Sequence, residues 1–525
     1  MKPRRFCYSM QIAIFICFLA AAGNRGQAQN PAAIAGSPLE GLDAYVEKAL
    51  ADWQIPGLSI AVVKNDSTAL AKGYGVRDIR KSEPVDAHTL FAIASNSKAF
   101  TAAALGMLVQ EGKISWDDPV LKYLPEFQLY DPEATRKITV RDLLCHRSGL
   151  ATWGGDWAWW GSIYSRDEAL RSIRYQKPVY DFRTGYGYSN QMFLVAGEVI
   201  LSVTGQSWDD FIAERFFRPL GMNRSNTSVK TLEKMENVAT PHLMVEGRLL
   251  PVAYLNVDNA GAAAGINSSV SDLAQWLRLQ LAHGAFNGEQ LLDSAVIEET
   301  RKPHTLRQIS AANRKFNPFT HFSLYGLGWD LSDYRGRLIV SHTGGLDGMF
   351  SYTGFMPEEN LGVAVLTNRE DHSLMQALAL HVYDVYLGTD LQDWSARYLE
   401  RNRGREQRER EARERQLAAR VANTQSSHSL QHYAGSYHND IYGAAKIELA
   451  NNKMTLYPLA HPGITGTLEH WQYDTFRCKW SSAVWQESFI YFELNDAGEV
   501  ARFRVKVRPD WVDTLEYTFE KIRGE

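Results

Sequence analysis

An arginine- and glutamate-rich segment between Ser395 and Ala422 divides this chain of 525 residues into two parts with different hydrophobic patterns. Opposite charges recur in it four residues apart, at Glu406 and Arg410, Glu409 and Arg413, and Glu411 and Arg415. This spacing puts the partners side by side on an exposed helix, and the interleaved glutamates argue against a basic docking surface. We therefore predict a charged linker helix over residues 395–425, between a domain at 29–394 and a second domain at 426–525.

The part after the charged segment has the pattern of an all-β domain. Strand-like runs lie at 446–449, 454–457, 490–494 and 500–507, with turns at Asn451-Asn452 and Asn495-Asp496-Ala497-Gly498. Asparagine and glycine at these positions favour tight turns between antiparallel strands.

The part before the charged segment mixes helical and strand patterns. A helical pattern from Leu39 to Trp53 is followed by a β-hairpin pattern at 57–63 and 69–76. Further strand-like runs occur near 339, 350–355 and 361–366, and helical patterns at 192–203, 207–217 and 271–282. An antiparallel sheet can collect strands from both ends of a domain while helices from the middle cover it, so we predict an α+β fold.

The chain contains a single Ser-x-x-Lys sequence, Ser95-Asn96-Ser97-Lys98, at the start of an apolar run. If that run is a helix, the serine and the lysine lie on one face, one turn apart. A serine hydroxyl needs a nearby base to act as a nucleophile, and a buried lysine amine with a lowered pKa can be that base. A helix start followed by an exposed lysine is the alternative interpretation of the same four residues.

Two later segments supply companions to this pair. Tyr186-Gly187-Tyr188-Ser189-Asn190 precedes a predicted helix, and Val340-Ser341-His342-Thr343-Gly344-Gly345 ends a β-branched run. The order Ser-x-x-Lys, Tyr-x-Asn, His-Thr-Gly resembles the serine β-lactamase, penicillin-binding protein and esterase superfamily, in particular its class C-type branch. Segments at 139–150, 220–222 and 262–269 with Asp272 resemble further family segments, and the resemblance runs from about Leu39 to Leu387.

The resemblance implies a fold and a set of roles. It implies an antiparallel sheet flanked by helices, with an all-helical subdomain, and a small lipocalin-like β-barrel appended at the C-terminus. It implies that Ser95 attacks a carbonyl, that Lys98 and Tyr188 transfer protons, and that the N–H groups of Ser95 and Gly345 form the oxyanion hole. Which of Lys98 and Tyr188 is the base stays open. Substrate contacts are expected from Asn190, His342, Thr343 and Gly344.

Such a reaction uses neither a metal ion nor an organic cofactor. A zinc hydrolase is the rival, but the chain has no His-Glu-x-x-His sequence, and His372 and His381 lack the required spacing. We expect a small-molecule ester, amide or short peptide as substrate. The net charge of −4, with no basic face, argues against a nucleic-acid partner.

His342 occupies a position where β-lactamases and carboxypeptidases of the superfamily usually have lysine. Histidine is mostly neutral at pH 7, so it holds a substrate carboxylate less strongly. Relatives with His-x-Gly include esterases and D-aminopeptidases. We therefore predict ester or D-amino-acid peptide hydrolysis rather than efficient β-lactam turnover, with a β-lactamase or DD-carboxypeptidase as the alternative.

A tryptophan cluster follows the segment 148–150, which borders the site in relatives. Trp159 and Trp160 are candidate walls of a substrate pocket, and a packed helical cap is the alternative. Two interpretations without turnover also remain: a penicillin sensor that is acylated at Ser95 but not released, and an envelope protein whose barrel binds glycan or peptide. The sequence leaves the oligomeric state open.

The N-terminus has the pattern of a secretory signal. Lys2, Arg4 and Arg5 precede an apolar stretch from Ile12 to Ala22, and Gly26-Gln27-Ala28 is a candidate cleavage site. We predict a cleaved signal over residues 1–28, a periplasmic or secreted location, and no transmembrane anchor after cleavage. Cys145 and Cys478 then remain, and we expect two buried thiols rather than a disulfide.

Overall fold

An eight-stranded antiparallel sheet organises the first part of the computed structural model, which describes residues 38–507 and 512–522. The predicted signal peptide at 1–28 lies outside the described residues. The strands of the first part are β1 (Gly57–Lys64), β2 (Ser67–Gly75), β3 (Phe91–Ala92), β4 (His242–Val245), β5 (Arg248–Pro251), β6 (Asn267–Ser268), β7 (Ala285–Phe286), β8 (Glu289–Gln290), β9 (Thr305–Arg307), β10 (Ser323–Tyr325), β11 (Asp330–Tyr334), β12 (Arg337–Leu346), β13 (Met349–Met356) and β14 (Leu361–Thr367).

The helices lie mostly between the two groups of strands that form this sheet. They are α1 (Leu42–Trp53), α2 (Ser97–Gln110), α3 (Pro132–Lys137), α4 (Val140–Leu143), α5 (Arg166–Ser172), α6 (Asn190–Thr204), α7 (Trp208–Ile212), α8 (Arg218–Leu220), α9 (Val229–Leu232), α10 (Gly261–Ala264), α11 (Val270–Leu281), α12 (Ser294–Thr300), α13 (Ala311–Phe316), α14 (His372–Leu387) and α15 (Trp394–Ala418). The helix predicted at 207–217 begins as expected, with Ser207 accepting a hydrogen bond from the Asp210 N–H, but widens into a π-helical turn at Ala213–Phe217.

The sheet joins strands from opposite ends of the domain. Its order is β2-β1-β14-β13-β12-β11-β10-β9, and β1 pairs with β14 so that Ile60 lies opposite Val365. Both strands are buried, which fits their near-continuous apolar sequences. The α+β prediction is confirmed.

Strand β12 has a different partner at each end. β11 pairs with its residues 337–341, whereas β13 pairs with residues 340–346. The edge of residues 342–346 that faces the β11 side is therefore not covered by β11. This half of the strand contains the His-Thr-Gly-Gly sequence.

Helix α2 is buried on almost all sides, from Ser97 to Leu108. Its sequence is apolar all round, which is typical of a helix inside a protein rather than on its surface. It contacts α6, α10 and α12, and these contacts fix the position of its first turn.

Strands β15 to β22 close into an eight-stranded antiparallel barrel, which confirms the all-β prediction for the C-terminal part. They are β15 (Gly435–Asn439), β16 (Gly443–Ala450), β17 (Lys453–Pro458), β18 (Gly466–Gln472), β19 (Thr475–Trp480), β20 (Glu487–Leu494), β21 (Val500–Lys506) and β22 (Glu516–Lys521). Aromatic residues such as Tyr437, Phe492 and Phe503 fill its interior.

The charged segment forms α15, and this helix contacts both parts of the chain. Near its start Asn402 donates to the Asp371 carboxylate, and further along Arg413 forms an ion pair with Glu487 of β20. The sequence spacing pairs Arg413 with Glu409, but in the structure this arginine belongs to the barrel contact instead. Glu411 and Arg415 do lie within 3.9 Å of each other.

Two smaller expectations concern the cysteines and the membrane. Cys145 and Cys478 are free and buried, as predicted. Within residues 38–507 and 512–522, no helix is both long and apolar enough to cross a bilayer.

Candidate active site

Ser95 lies in a single 3₁₀ turn, Ala94–Asn96, directly before α2. Ala94 has a φ of 48°, in the left-handed region that residues with a side chain seldom adopt. Such strained backbone persists only where surrounding packing enforces it, and it is common beside reactive groups. Ser95 is half-buried, so its hydroxyl is accessible from one side.

Lys98 is fully buried one turn later and points its amine at the serine. Its Nζ lies 3.0 Å from Ser95 Oγ, 2.6 Å from Asn190 Oδ1 and 2.9 Å from the Ala263 carbonyl oxygen. The Asn190 and Ala263 oxygens can only accept hydrogen bonds at these contacts. A neutral amine that donates two N–H groups to these oxygens therefore has its lone pair left for the Ser95 hydroxyl.

The protonation state of Lys98 follows from its burial. Removal from water lowers the pKa of this amine to about 7, while the Asp156 carboxylate opposes the shift. A substantial fraction of Lys98 is therefore neutral at physiological pH. The structure thus brings the lysine–serine pair predicted from the sequence within hydrogen-bond distance.

Tyr188 completes this side of the site. Its ring centroid lies 4.9 Å from Lys98 Nζ, and burial raises the pKa of its phenol well above the usual value, with hydrogen bonding to Ser95 acting in the opposite direction. The phenol is therefore a proton donor near neutral pH. His146 packs against it with 4.1 Å between ring centroids and accepts a hydrogen bond from the Ser189 N–H.

Asn190 connects Lys98 to a carboxyl group that the sequence did not indicate. Its Nδ2 donates to Asp156 Oδ2 at 2.5 Å, which turns its Oδ1 towards Lys98. Asp156 is 1 % exposed, and its Oδ1 accepts from the Trp159 indole at 2.8 Å. Burial raises the pKa of Asp156 to about 7.

Strand β12 reaches the nucleophile through its glycines. A Cβ on Gly344 would lie 2.0 Å from the Ile93 carbonyl oxygen, so only glycine allows this approach. Ser351 Oγ donates to the same oxygen at 2.6 Å and accepts from Asn96 Nδ2 at 2.7 Å. The neighbouring strand β13 is thus bonded to the segment that carries Ser95, and β12 lies against the same segment at Gly344.

His342, a residue of strand β12, has a buried side chain. Its Nε2 is 2.8 Å from the Tyr325 hydroxyl and its Nδ1 is 2.6 Å from the Thr343 carbonyl oxygen. Nδ1 therefore carries the proton, and Nε2 accepts from Tyr325. Burial lowers the pKa of His342 to about 3, with Lys98 contributing in the same direction, so the ring is neutral and is not a substitute for a lysine cation.

The two candidate tryptophans are buried. Trp159 and Trp160 are 1 % and 5 % exposed. Trp159 packs under the site through Asp156, which favours the packed alternative for this residue, and Trp160 contacts Asp347, at the turn after β12.

Among residues 38–507 and 512–522, no group of three or more His, Cys, Asp or Glu side chains is arranged to hold a metal ion.

Sequence reasoning missed His146, Asp156 and Tyr325. His146 lies inside the segment 139–150 that carries part of the resemblance, but nothing in that segment indicates its contact with Tyr188. Asp156 and Tyr325 lie in stretches with no recognisable motif. Only packing brings them to the site.

Comparison with known proteins agrees with this arrangement. Residues 42–386 match the model of the beta-lactamase family, and residues 419–525 match a domain of unknown function, DUF3471. Because the first model covers more than half of the sequence, the chain belongs to the beta-lactamase family.

Two curated relatives and one solved structure illustrate the likeness. Unguisins hydrolase ungD of Aspergillus violaceofuscus is 30% identical over 398 residues, covering 69% of this chain and 68% of that protein. Protein flp of Staphylococcus aureus is 27% identical over 335 residues, covering 62% of each chain. The octameric penicillin-binding protein homologue from Pyrococcus abyssi superposes with a TM-score of 0.60 over 92% of this chain and 100% of that one, at 23% identity, which indicates a shared fold.

Proposed function

We propose that this chain is a secreted serine hydrolase that forms an acyl-enzyme on Ser95 and cleaves esters or D-amino-acid peptides and amides. The observation that carries the proposal is the set of contacts of the Lys98 amine. The Asn190 and Ala263 oxygens accept its two N–H groups, and its remaining contact is with Ser95 Oγ at 3.0 Å. Membership of a family of serine hydrolases, and a relative named as a hydrolase, support it.

The reaction begins with proton transfer from Ser95 Oγ to neutral Lys98 as the oxygen attacks the substrate carbonyl. Negative charge develops on the carbonyl oxygen and is stabilised by the N–H groups of Ser95 and Gly345, each such donor contributing about 2.7–4 kcal/mol. The leaving group departs with the Tyr188 phenolic proton, and Lys98 returns its proton to Tyr188. Water then repeats these steps on the ester and releases Ser95.

The state of His342 supports the choice of substrate class. A neutral ring bonded to Tyr325 and to the Thr343 carbonyl offers no cation to a substrate carboxylate. Efficient β-lactam or DD-carboxypeptide turnover depends on such a cation in the relatives that carry lysine at this position. Esters and amides that carry no such carboxylate do not need a cation at this position.

A substrate panel on the wild type and on Ser95→Ala tests the proposal. We expect hydrolysis of a short-chain nitrophenyl ester and of D-amino-acid amides, slow hydrolysis of a cephalosporin, and a loss of about 10³-fold or more in Ser95→Ala. Full activity in the variant would show that Ser95 is not the nucleophile. Cephalosporin turnover far above the other rates would favour a β-lactamase.

A labelled fluorophosphonate followed over time separates turnover from the binding functions. Labelling of the wild type but not of Ser95→Ala identifies the nucleophile. Labelling with penicillin that persists would indicate a sensor, and no labelling with either reagent would indicate a binding protein. Mass spectrometry of the secreted chain, with an N-terminus at residue 29, tests the signal cleavage.

A further inference from the structure

Asp347 is a buried carboxyl group at the tip of the hairpin that joins β12 to β13. It is 9 % exposed, and its Oδ1 has no hydrogen-bond partner within the part of the chain that the structure describes. A buried carboxylate oxygen without a partner is costly, so its persistence needs an explanation. Its two-residue turn with Gly348 requires no burial of the side chain, since aspartate in such turns is commonly exposed.

The same carboxyl group lines a small cavity. The cavity has a volume of about 20 Å³, and its other walls include Tyr254, Leu255 and Val257. This volume admits a group the size of one water molecule, which is also the size of a primary ammonium head. The walls are largely apolar, so the Asp347 carboxylate is the charged group that a ligand would meet.

The cavity adjoins the catalytic residues. Ala92, on one wall, lies three residues before Ser95, and Leu346, on another, directly follows Gly345. Two residues of extended chain span about 7 Å, so the backbone of Asp347 lies within about 7 Å of Gly345, the proposed oxyanion-hole residue. The Trp160 indole contacts the Asp347 carboxyl from the side.

The surroundings of the Asp347 carboxyl disfavour its charged form. Burial raises its pKa to about 7, Glu370 adds to the shift, and the Trp160 indole opposes it. A cation in the cavity would favour the charged carboxylate and satisfy its free oxygen. A neutral group would leave the desolvated charge unpaired.

We propose that Asp347 binds a primary ammonium group that the substrate carries close to its scissile carbonyl, as in amino-acid esters and amides with a free α-amine. This inference rests on the proposed hydrolysis at Ser95 and narrows its substrate class. Asp347 is then a specificity residue: it selects the charged substrate, whereas Ser95 and Lys98 serve every substrate alike.

The test compares two substrates on two enzymes. Alanine p-nitroanilide, in both D and L forms, differs from its N-acetyl derivative only by the charged amine. We expect the wild type to prefer the free amine by about tenfold or more in kcat/KM, because pairing with a buried charge is lost on acetylation. Asp347→Asn should lose about tenfold or more on the free amine and less than about twofold on the acetylated substrate.

Nitrophenyl acetate serves as the check that Asp347→Asn is folded, and a second variant serves as the matched control. Unchanged hydrolysis of nitrophenyl acetate by Asp347→Asn would show that the variant is folded and its catalytic groups are intact. Asp272→Asn, a change at a buried carboxyl bonded to Ser225, is the matched control and should leave the substrate ratio unchanged.

Three results would overturn the inference: equal losses on both anilides, no preference in the wild type, or hydrolysis of nitrophenyl acetate without hydrolysis of either anilide. These differ from failure of the proposed function itself. That failure would appear as Ser95-independent hydrolysis, or as no hydrolysis of any substrate.

Discussion

The residues of the site owe their protonation states to burial. Lys98 becomes partly neutral, Tyr188 stays protonated, and His342 stays neutral, because each charged form would lose its hydration in this interior. Direct hydrogen bonds then fix the orientation of each group. Asn190 shows this most clearly, since Asp156 on one side decides that its oxygen faces Lys98.

Asp156→Asn should therefore change the pH dependence of catalysis as well as its rate. In the proposed mechanism the wild type needs neutral Lys98, so its kcat/KM should rise with pH through a midpoint near 7. Removal of the Asp156 charge removes the contribution that raises the pKa of Lys98, so the acidic limb should move to lower pH. The rate should also fall about tenfold, because Asn190 and Trp159 donate to different oxygens of Asp156, and in the amide one of these oxygens is replaced by an NH2 group that faces a donor.

The pH profile is the informative part of this experiment. A general loss of structure would lower the rate at all pH values without moving the midpoint. Asp272→Asn is the control and should keep the wild-type midpoint. A midpoint that is unchanged or higher in Asp156→Asn would contradict the role assigned to this carboxyl.

At the scale of secondary-structure elements, the contact between β12 and the turn before α2 brings the site together. Gly344 lets the strand approach the Ile93 carbonyl, and Ser351 of β13 bonds to the same oxygen. Two strands distant in sequence from Ser95 are thereby held beside it. The half of β12 beyond its pairing with β11 remains available to a substrate.

Gly344→Ala should separate these elements. Its Cβ would meet backbone at 2.0 Å, so the strand must shift, and we expect a loss of about 1–3 kcal/mol in the free energy of unfolding. Activity should fall about 10²-fold, because a displacement of about 1 Å costs that much in a positioned site. Urea unfolding and ester hydrolysis measure the two effects.

Gly404→Ala in α15 is the matched control. Its Cβ would have only the end of the Arg408 side chain nearby, at 3.4 Å. Alanine is favoured over glycine in a helix by about 1 kcal/mol, so stability should be equal or higher and activity unchanged. Wild-type activity in Gly344→Ala would mean that the strand does not contribute to the site.

At the scale of the whole molecule, the loop at 153–157 contacts both the candidate active site and the barrel, in addition to the contacts that α15 makes. Trp153 donates its N–H to the Tyr188 carbonyl at 2.8 Å, while Gly155 and Trp157 donate theirs to Tyr517 Oη at 3.0 Å and Asp513 Oδ2 at 3.2 Å. The Trp157 side chain belongs to the barrel core. The same loop carries Asp156, so these contacts with the barrel support the position of the Asp156 side chain.

The Trp157 contact makes stability depend on pH through His461. This ring stacks on Trp157 with 5.3 Å between centroids, and burial lowers its pKa to about 3. A lowered histidine pKa gives stability that is complete above the unfolded value of about 6.5 and is lost as the pH falls towards 3. The loss approaches about 1.4 kcal/mol per pH unit in this window.

His461→Phe should therefore be less sensitive to acid than the wild type. Between pH 6.5 and pH 4.5, the wild type should lose about 2–3 kcal/mol more unfolding free energy than the variant. Urea unfolding monitored by tryptophan fluorescence measures this difference. His438→Phe, at a half-exposed histidine, should behave like the wild type, and equal acid sensitivity in all three proteins would contradict the prediction.

Local patterns predicted part of the secondary structure. The hairpin at 57–76, the helix after Asn190 and four of the eight barrel strands follow from apolar periodicity and from turn residues such as Asn65 and Asn451. The charged helix follows from opposite charges spaced four residues apart. The Ser-x-x-Lys, Tyr-x-Asn and His-Thr-Gly sequences indicated the catalytic groups because their spacing and order are specific. The sequence by itself therefore determined the family resemblance, the α+β and all-β character of the two parts, and the identity of the candidate nucleophile.

The tertiary structure decided the surroundings of those groups. Asp156, Tyr325 and Asp347 carry no motif, and they matter because folding buries them beside Asn190, His342 and a cavity. Desolvation, and hence pKa, depends on which distant segments pack around a side chain, and no local periodicity records that. Whether Lys98 lies buried beside Ser95 or is an ordinary surface cation was therefore a question that only packing could answer.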